Sequence, residues 1–582
     1  MDFINRIFNK IIDDVNDFID YLDESIENNF FKKYTTLKRT YRFVISWILL
    51  VVLLITVVFI QNFNLNGFYQ YDKYIGGGAF SLGVKGLFTN ANPIYATSAV
   101  DSLVSHMLFL GLFKYNNNNQ LVGDLAESYS IDSTGKVYTV KLKPNIFWQD
   151  GKPITSADVA FTFKMIQDPN SQSPYASSFQ NVSVSTPNSS TVVFTLPDVL
   201  APFIYSLTVG ILPEHVLSNI PAVDMRSVLF NTSDPIGSGP FEWQGIEETG
   251  NDPANAQTQI NFTPNPKYYG GLPQLSEFVI KTYPTDTDLK AAFNKNQVFS
   301  AVGLNDTSSL QTGFKTYNFI YTAGTYVFFK TSSGVLSDQS VRKSLLEATD
   351  QNAIVASLPY PTVEVVEPLL VGQLAFQRSY RQLGFNLADA NNTLTQDGYI
   401  MNKNGYRYKG SQPLAFDLTV LNTDQGLANL LKEQWKKIGA DVTIISQDPN
   451  SFDLTLRYHQ YDALLNTISI GVDPDVFVYW DSSQLSSQPI GNLNFSEFKN
   501  SSADESIEEG RTRLDPALRI IKYQQFLQAW HDQVPAIGLY QPRLLLVSHS
   551  KINNLDEQKI NSIEDILSSV GSWQINTVRQ TY

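Results

Sequence analysis

Cysteine is absent from all 582 residues. That excludes disulfides, Cys-ligated zinc, iron–sulfur clusters and thiol catalysis together. It also excludes a lipid-modified cysteine as a membrane anchor. Histidine is scarce. The five (His106, His215, His459, His531 and His549) are scattered and form no H-E-x-x-H pair. No G-x-S-x-G nucleophile elbow is present. The glycine-rich start, Gly76-Gly77-Gly78 with Gly83 and Gly86, lacks the G-K-S/T ending of a phosphate loop and reads as a flexible entry to a fold. Basic residues are outnumbered 42 to 56, a formal net charge of −14. This disfavours nucleic acid as a partner, because phosphate contacts need clustered Lys and Arg. Paired carboxylates for glycoside cleavage are the enzyme chemistry that the composition leaves open.

Long apolar runs are rare as well, with one clear exception. Phe43 to Ile60 is 18 residues without a charge. At about 1.5 Å per residue it reaches roughly 27 Å, close to a ~30 Å hydrocarbon core. Apolarity on every face argues against a core helix. Against a cleaved signal peptide stand the run's length, its start after 42 residues, and the Gln61-Asn62-Phe63-Asn64 that succeeds it in place of small residues. Lys32, Lys33, Lys38, Arg39 and Arg42 crowd one flank, and only Lys73 lies shortly beyond the other. The positive-inside rule then places residues 1–42 in the cytoplasm and 61–582 outside, with 43–60 as an uncleaved signal anchor. Within 1–42, Ile4, Ile7, Phe8, Ile11, Ile12, Val15, Phe18, Ile19, Leu22 and Ile26 recur at helical spacing. The acidic polar face of this helix suits an anionic membrane surface poorly. Self-association, a cytosolic partner, or a helix packed near the membrane all remain open for it.

The rest is the composition of a large folded ectodomain, 43% apolar and 17% charged. Residues 61–75 read as a polar-aromatic tether. No long low-complexity linker and no repeat divides the chain beyond residue 75. Helical and strand patterns alternate: Leu427 to Ile438 is helical and closed by Gly439, and Asp441 to Ile445 comes next as a strand. Arg511 to Gln533 is a second helical pattern, interrupted early by Pro516. Mixed α/β is the fold class these features support.

The most informative stretch is Ala126 to Val159. Gly135 supplies a turn, and Val137, Thr139 and Lys141 alternate with Tyr138, Val140 and Leu142, the period of a half-buried strand. Asp150-Gly151 is a second turn, and Thr155-Ser156-Ala157-Asp158 reads as a helix N-terminus. The wording resembles the signature of the extracytoplasmic solute-binding proteins of peptide-type ABC importers, the dipeptide/oligopeptide/nickel-binding family (solute-binding protein family 5). Further matches occur in family order. They are Asn92-Pro93, Val100-Asp101 and Leu110-Gly111-Leu112, then Pro235 to Phe241 (PIGSGPF), Val341 to Asp350, Asp473-Pro474-Asp475, Leu514-Asp515-Pro516 with Arg519, and Pro535 to Gln541 (PAIGLYQ). Leu110 stands where the family has an acid, and Gln149 where histidine is common. The latter argues for an architectural role of that turn.

The resemblance implies a two-lobed periplasmic-binding-protein-like clamp with an extra subdomain in lobe one. Mapped here, lobe one is 76–285 with its insertion near 114–234, lobe two is 286–535, and 536–582 returns to lobe one. The crossovers fall near Lys281–Pro284 and Ala536–Tyr540. The implied function is a membrane-anchored binding component that captures a peptide or similar small polar solute between the lobes and delivers it to ABC permease subunits. Nothing is chemically transformed, and no catalytic residue, metal or cofactor is expected. An extracellular hydrolase and a ligand-sensing ectodomain without a transport role are the alternatives.

For the site, the resemblance puts Asn92, Tyr95, Tyr326, Phe328, Thr467, Ser469, Ile470 and Gly471 toward the cleft. In peptide-binding members an aspartate three positions before the D-P turn pairs with the peptide's amino terminus, and here that position is Ile470. A buried ammonium without a partner costs several kcal/mol, so another acid substitutes or the ligand carries no free amine. Specificity is expected around Asn466–Val472. Asp473 and Asp475 read as a turn and helix cap in preference to ligand carboxylates. Trp148 reads as scaffold.

Overall fold

In a computed structural model, residues 16–22, 24–26, 34–249, 257–485 and 491–581 are described. Most of the amphipathic pattern in 1–42 lies outside them. The chain forms two compact units, one of Met1–Tyr74 with Thr577–Tyr582 and one of Ile75–Asn576.

In the smaller unit, a helix spans Tyr34–Tyr69. Its Phe43–Gln61 portion, 19 residues with none buried, is long and apolar enough to cross a membrane by length and composition. The helix continues through much of the stretch expected as a tether. Strand Gln70–Ile75 comes next and joins Asn576–Thr581 in a two-stranded sheet.

In the larger unit, two sheets carry the architecture. The first has eight strands. At its centre Ala79–Lys85 runs parallel to Glu277–Tyr283, with Phe80 opposite Phe278 and Leu82 opposite Ile280. It also runs parallel to Ser300–Val302. The second has five strands in the order Asp441–Gln447, Ala415–Leu421, Ala463–Ser469, Ala323–Phe329, Ala536–Tyr540. Every residue of Ala323–Phe329 is buried, as expected of a central strand covered on both faces. Its side chains alternate between two cores. Val327 and Phe329 join Trp435, whereas Tyr326 and Phe328 join Trp480 and Trp530.

The chain changes between these sheets twice. Lys315–Tyr321 belongs to the eight-stranded sheet and Ala323–Phe329 to the five-stranded one, so Thr322 is one crossover. Gln541 and Pro542 separate Ala536–Tyr540 from Arg543–Ser548 and form the other. The expected crossover near Lys281–Pro284 differs from this. There the chain only leaves one strand of the eight-stranded sheet, and it returns to that sheet through Ser300–Val302 and Lys315–Tyr321. Sequence periodicity cannot tell which sheet a short strand joins, because that depends on pairing partners far along the chain.

A separate four-stranded sheet is built on the Ala126–Val159 pattern. Strands Ala126–Ile131 and Val137–Leu142 pair antiparallel, with Gly135 at φ +75°. Tyr138, Val140 and Leu142 are buried, as the alternation requires. Thr155 caps helix Ser156–Gln167 in a capping box with Asp158. Trp148 is fully buried in the core that also holds Phe163 and Tyr138. Gln149 ties the 149–151 turn to the glycine motif. Its Nε2 donates to the Phe241 carbonyl at 2.8 Å, and its Oε1 accepts from the Gly237 amide at 2.8 Å.

That motif is glycine-rich because backbone passes against backbone. A β-carbon on Gly237 would sit 2.1 Å from the Leu108 carbonyl oxygen, and one on Gly239 would sit 2.5 Å from that of Met107. The amides of Ser238 and Gly239 both donate to Leu108 O, at 2.8 and 2.7 Å. Of the helical pattern at 511–533, Arg511 is the last residue of a separate helix, Ser501–Arg511, and the part after the interruption forms helix Pro516–Gln533. Proline is tolerated at the first position of a helix, so Pro516 begins the second helix, capped by Asp515.

Candidate functional site

The two crossovers touch: Gln541 Nε2 donates to the Tyr321 carbonyl at 2.9 Å. Thr322 then anchors both halves. Its amide donates to Ile560 O at 2.8 Å and its hydroxyl to Asn561 Oδ1 at 2.6 Å. Its carbonyl accepts the amides of Ile470 and Gly471, at 3.0 and 2.9 Å. The segment after strand Ala463–Ser469 is thus pinned to a crossover. Gly471 turns the chain there with φ +78°, a conformation glycine adopts without steric cost.

Two arginines lock the Asp473-Pro474-Asp475 loop just beyond this turn. Arg519 grips Asp473 through both guanidinium tips, each at 2.7 Å. The pair is buried, with side-chain exposures of 6% and 8%. Arg511 holds Asp475 at 2.9 Å. Burial raises the Asp475 carboxyl from its ordinary range, and Arg511 acts in the opposite sense. Both aspartates are therefore committed to scaffold ion pairs, a stronger role than a turn and cap alone.

The sequence-derived candidates separate into two groups. Thr467, Ser469, Ile470 and Gly471 lie together. The hydroxyls of Thr467 and Thr325 meet at 2.9 Å, and the Ser469 carbonyl accepts from Tyr479 Oη at 2.8 Å. Burial pushes the Tyr479 hydroxyl up to about 12. Ile470 is buried in the core around Trp480. Tyr326 and Phe328 share the sheet but are fully buried. The Tyr326 hydroxyl donates to Glu367 O at 3.1 Å, and both rings pack on Trp480. Their faces are occupied by the core in this structure.

Asn92 and Tyr95 lie in the other half. Asn92 is fully buried, its Nδ2 donating to Asn231 Oδ1 at 3.1 Å and its Oδ1 accepting the Ile94 amide at 3.2 Å. Tyr95 Oη donates to Ser171 O at 2.9 Å, and the Arg226 guanidinium lies 5.1 Å from its ring centre.

Open space runs beside these segments. A groove of about 550 Å³ is lined by Phe113, Gln120, Glu127, Tyr129 and Tyr205 on the side of the eight- and four-stranded sheets, and by Val472 from the other side. Tyr205 is raised by burial first and then by the charge of Asp473, so its hydroxyl senses the locked loop across the gap. A smaller cavity of about 250 Å³ adjoins Phe113 and is lined by Pro93, Ala96, His106, Lys114, Asp124 and Glu564, among others. Burial lowers His106 to about 4. Lys114 Nζ reaches Asp124 Oδ1 at 2.8 Å, and Tyr269 Oη donates to the same oxygen at 2.6 Å. Among the described residues no group of three or more His, Asp or Glu is arranged to hold a metal ion.

Val472 falls within the expected specificity segment, next to the named candidates. Tyr129, Tyr205 and Glu564 carry no local signal of function. Tyr129 and Tyr205 reach the groove, and Glu564 the smaller cavity, only because distant strands and the C-terminal return are brought together.

Two α/β lobes joined by two adjacent crossovers, with a groove lined from both, define the fold of an extracytoplasmic binding protein. Solved structures share it. NikZ from Campylobacter jejuni in complex with Ni(L-His) superposes with a TM-score of 0.71 at 23% identity, covering 85% of this chain and 99% of that one. The oligopeptide-binding protein AppA from Bacillus subtilis, in complex with a nonapeptide, gives 0.68 at 23% identity, covering 87% and 100%. In sequence, the chain is 24% identical to AppA of Bacillus subtilis (strain 168) over 522 residues, 85% of this chain and 92% of that protein. Residues 120–488 match the family described as bacterial extracellular solute-binding proteins, family 5 Middle. The chain belongs to that family.

Proposed function

We propose that this chain is the solute-binding component of an ABC importer. It captures a peptide between its lobes and delivers it to permease subunits in the membrane. The observation that carries this reading is the groove lined by Val472 on one side and by Tyr129 and Tyr205 on the other. A ligand seated there touches both lobes only when they are closed, so its binding energy favours closure. Relatives named for oligopeptide binding support peptides as the solute class. No bond of the solute is made or broken.

In this reading lobe one comprises the eight-stranded sheet with the four-stranded sheet as its extra subdomain, and lobe two the five-stranded sheet. Thr322 and Gln541 act as the hinge. Thr467, Ser469, Gly471 and Val472 form the ligand edge of lobe two, with Asn92 and Tyr95 shaping the facing loop of lobe one. Tyr326, Phe328 and Ile470 support that edge from the core. The helix containing Phe43–Gln61 holds the binding domain outside the membrane, with the N-terminus in the cytoplasm.

Native mass spectrometry of the purified full chain, released stepwise from detergent, tests this reading. A co-purified mass that fragments as a peptide, with scattering that shows compaction on adding it back, is the expected result. A chain that retains no ligand and never compacts against a peptide library refutes it.

A further inference from the structure

Among the described residues, the Glu564 carboxyl of the smaller cavity has no counter-charge; its hydrogen bonds run to the Ser562 hydroxyl and to its own amide. Lys114 is engaged by Asp124 at 2.8 Å. Asp565 Oδ2 accepts the amides of Asn561 and Ser562, at 2.7 and 3.2 Å, and so serves the helix start. Glu564 lines the cavity beside it and, among the described residues, takes part in no ion pair with Lys, Arg or His. The groups that face it are Asp565 on its own helix, and Tyr175 and Tyr321 from neighbouring segments. His106, Lys114, Tyr115, Asp124 and Tyr268 line the rest of the wall. Burial, and then repulsion from Asp565, lifts the Glu564 carboxyl to about 7, while the Ser562 hydroxyl acts in the opposite sense. At neutral pH its ionised form is thus held at a cost that an arriving cation relieves.

Among the described residues no cation already fills that role. Lys114 is spent on Asp124, and His106 is neutral because burial lowers it to about 4. The lobe-two edge offers no competing acid: Ile470, Gly471 and Val472 carry no charge, and Asp473 and Asp475 are held by Arg519 and Arg511. At about 250 Å³ the cavity falls below the roughly 300–1,000 Å³ of sites that enclose a whole drug-sized ligand. It suits one end of a longer molecule lying in the adjoining groove.

We infer that Glu564 in this lobe-one cavity binds the amino-terminal ammonium of the peptide ligand. The inference rests on the reading of the solute as a peptide. The ligand's ammonium and the carboxylate form a charge-assisted hydrogen bond in a partly enclosed site, and the chain beyond that first residue runs out into the groove past Tyr129, Tyr205 and Val472. Glu564 then discriminates in favour of ligands with a free amine.

Titration calorimetry of the full chain with tetra-alanine and with N-acetyl-tetra-alanine tests the assignment. Wild type is expected to prefer the free amine by about tenfold or more. Glu564→Gln reduces that preference to within about twofold, by weakening the free-amine peptide and leaving the acetylated one unchanged. Glu564→Asp, which keeps the charge, retains a preference. A Glu564→Gln chain with undiminished preference overturns the inference. So does a wild type that binds both peptides equally, although peptide binding itself then stands. A wild type that binds neither overturns both readings. A crystal structure with tetra-alanine decides without any variant: the amino nitrogen within hydrogen-bond distance of Glu564 supports the assignment, and any other position ends it.

Discussion

Replacing Asp473 with asparagine keeps the shape of the side chain that anchors the cleft loop and removes its charge. In the native chain both Asp473 oxygens receive Arg519 at 2.7 Å, and the partners are only 6% and 8% exposed. Asparagine retains one acceptor and presents an amide to a guanidinium. Arg519 keeps its bond from Nε to the Gly510 carbonyl at 2.9 Å but is left as a buried charge without a counter-charge. Breaking a buried pair this way costs about 3–5 kcal/mol. The Arg511–Asp475 pair, at 22% and 17% exposure, is better hydrated, and Asp475→Asn is expected to cost less. The assay is urea unfolding monitored by tryptophan fluorescence, since Trp480 and Trp530 share the core beside this loop. The double replacement Asp473→Leu with Arg519→Met removes both charges. It is expected to lose at least ~2 kcal/mol less than the sum of the single changes, because neither partner is stranded. An Asp473→Asn chain within about 1 kcal/mol of wild type refutes the idea that this pair holds the loop.

Gly237→Ala places a β-carbon 2.1 Å from Leu108 O. The resulting backbone shift is expected to cost several kcal/mol, seen as a lower melting temperature or loss of soluble protein; a melt within a degree of wild type contradicts it. Glu367 is fully buried, and burial pushes its carboxyl up to about 8. The folded chain therefore keeps a proton that the unfolded chain releases near pH 4.5, so this residue lowers stability as pH rises from about 4.5 to 8, by up to about 1.4 kcal/mol per unit. Glu367→Gln should match wild type near pH 5, exceed it by a few kcal/mol near pH 8, and flatten the slope between them; an unchanged slope in urea titrations counts against the assignment. Val472→Trp fills the groove from its lobe-two side, and calorimetry with a retained peptide should show at least a tenfold loss of affinity without a change in melting; unaltered binding would place the ligand elsewhere.

Much of the local structure was legible because its causes lie within a few residues. The alternation at Val137–Leu142, the Thr155 cap, and the helix observed at Gln425–Lys436 before Gly439 each arise from side-chain period or capping chemistry. The 511–533 pattern shows the limit of such reading. The interruption at Pro516 was legible, since a residue that cannot donate its amide begins a helix more readily than it continues one, but Arg511 proves to be the last residue of the separate helix Ser501–Arg511 and not the start of the pattern. Tyr326 and Phe328 show a second limit. Their alternation is that of any strand, and whether the outward face meets a ligand or a core depends on Trp480, which sits about 150 residues away in the chain.

The sequence by itself determined the family, through an ordered series of motifs whose glycines, prolines and caps are dictated by local backbone geometry. It also placed an apolar segment of membrane-spanning length ahead of the binding domain. Only the tertiary structure decided where the lobes exchange chain, which aspartates are already paired, and which acid lines the lobe-one cavity without a counter-charge among the described residues. The reason is physical. Asn561 beside Asn119 and Glu564 in one cavity with Lys114 are meetings across most of the chain. No local period encodes them, and they exist only once the C-terminal segment has closed back onto the first lobe.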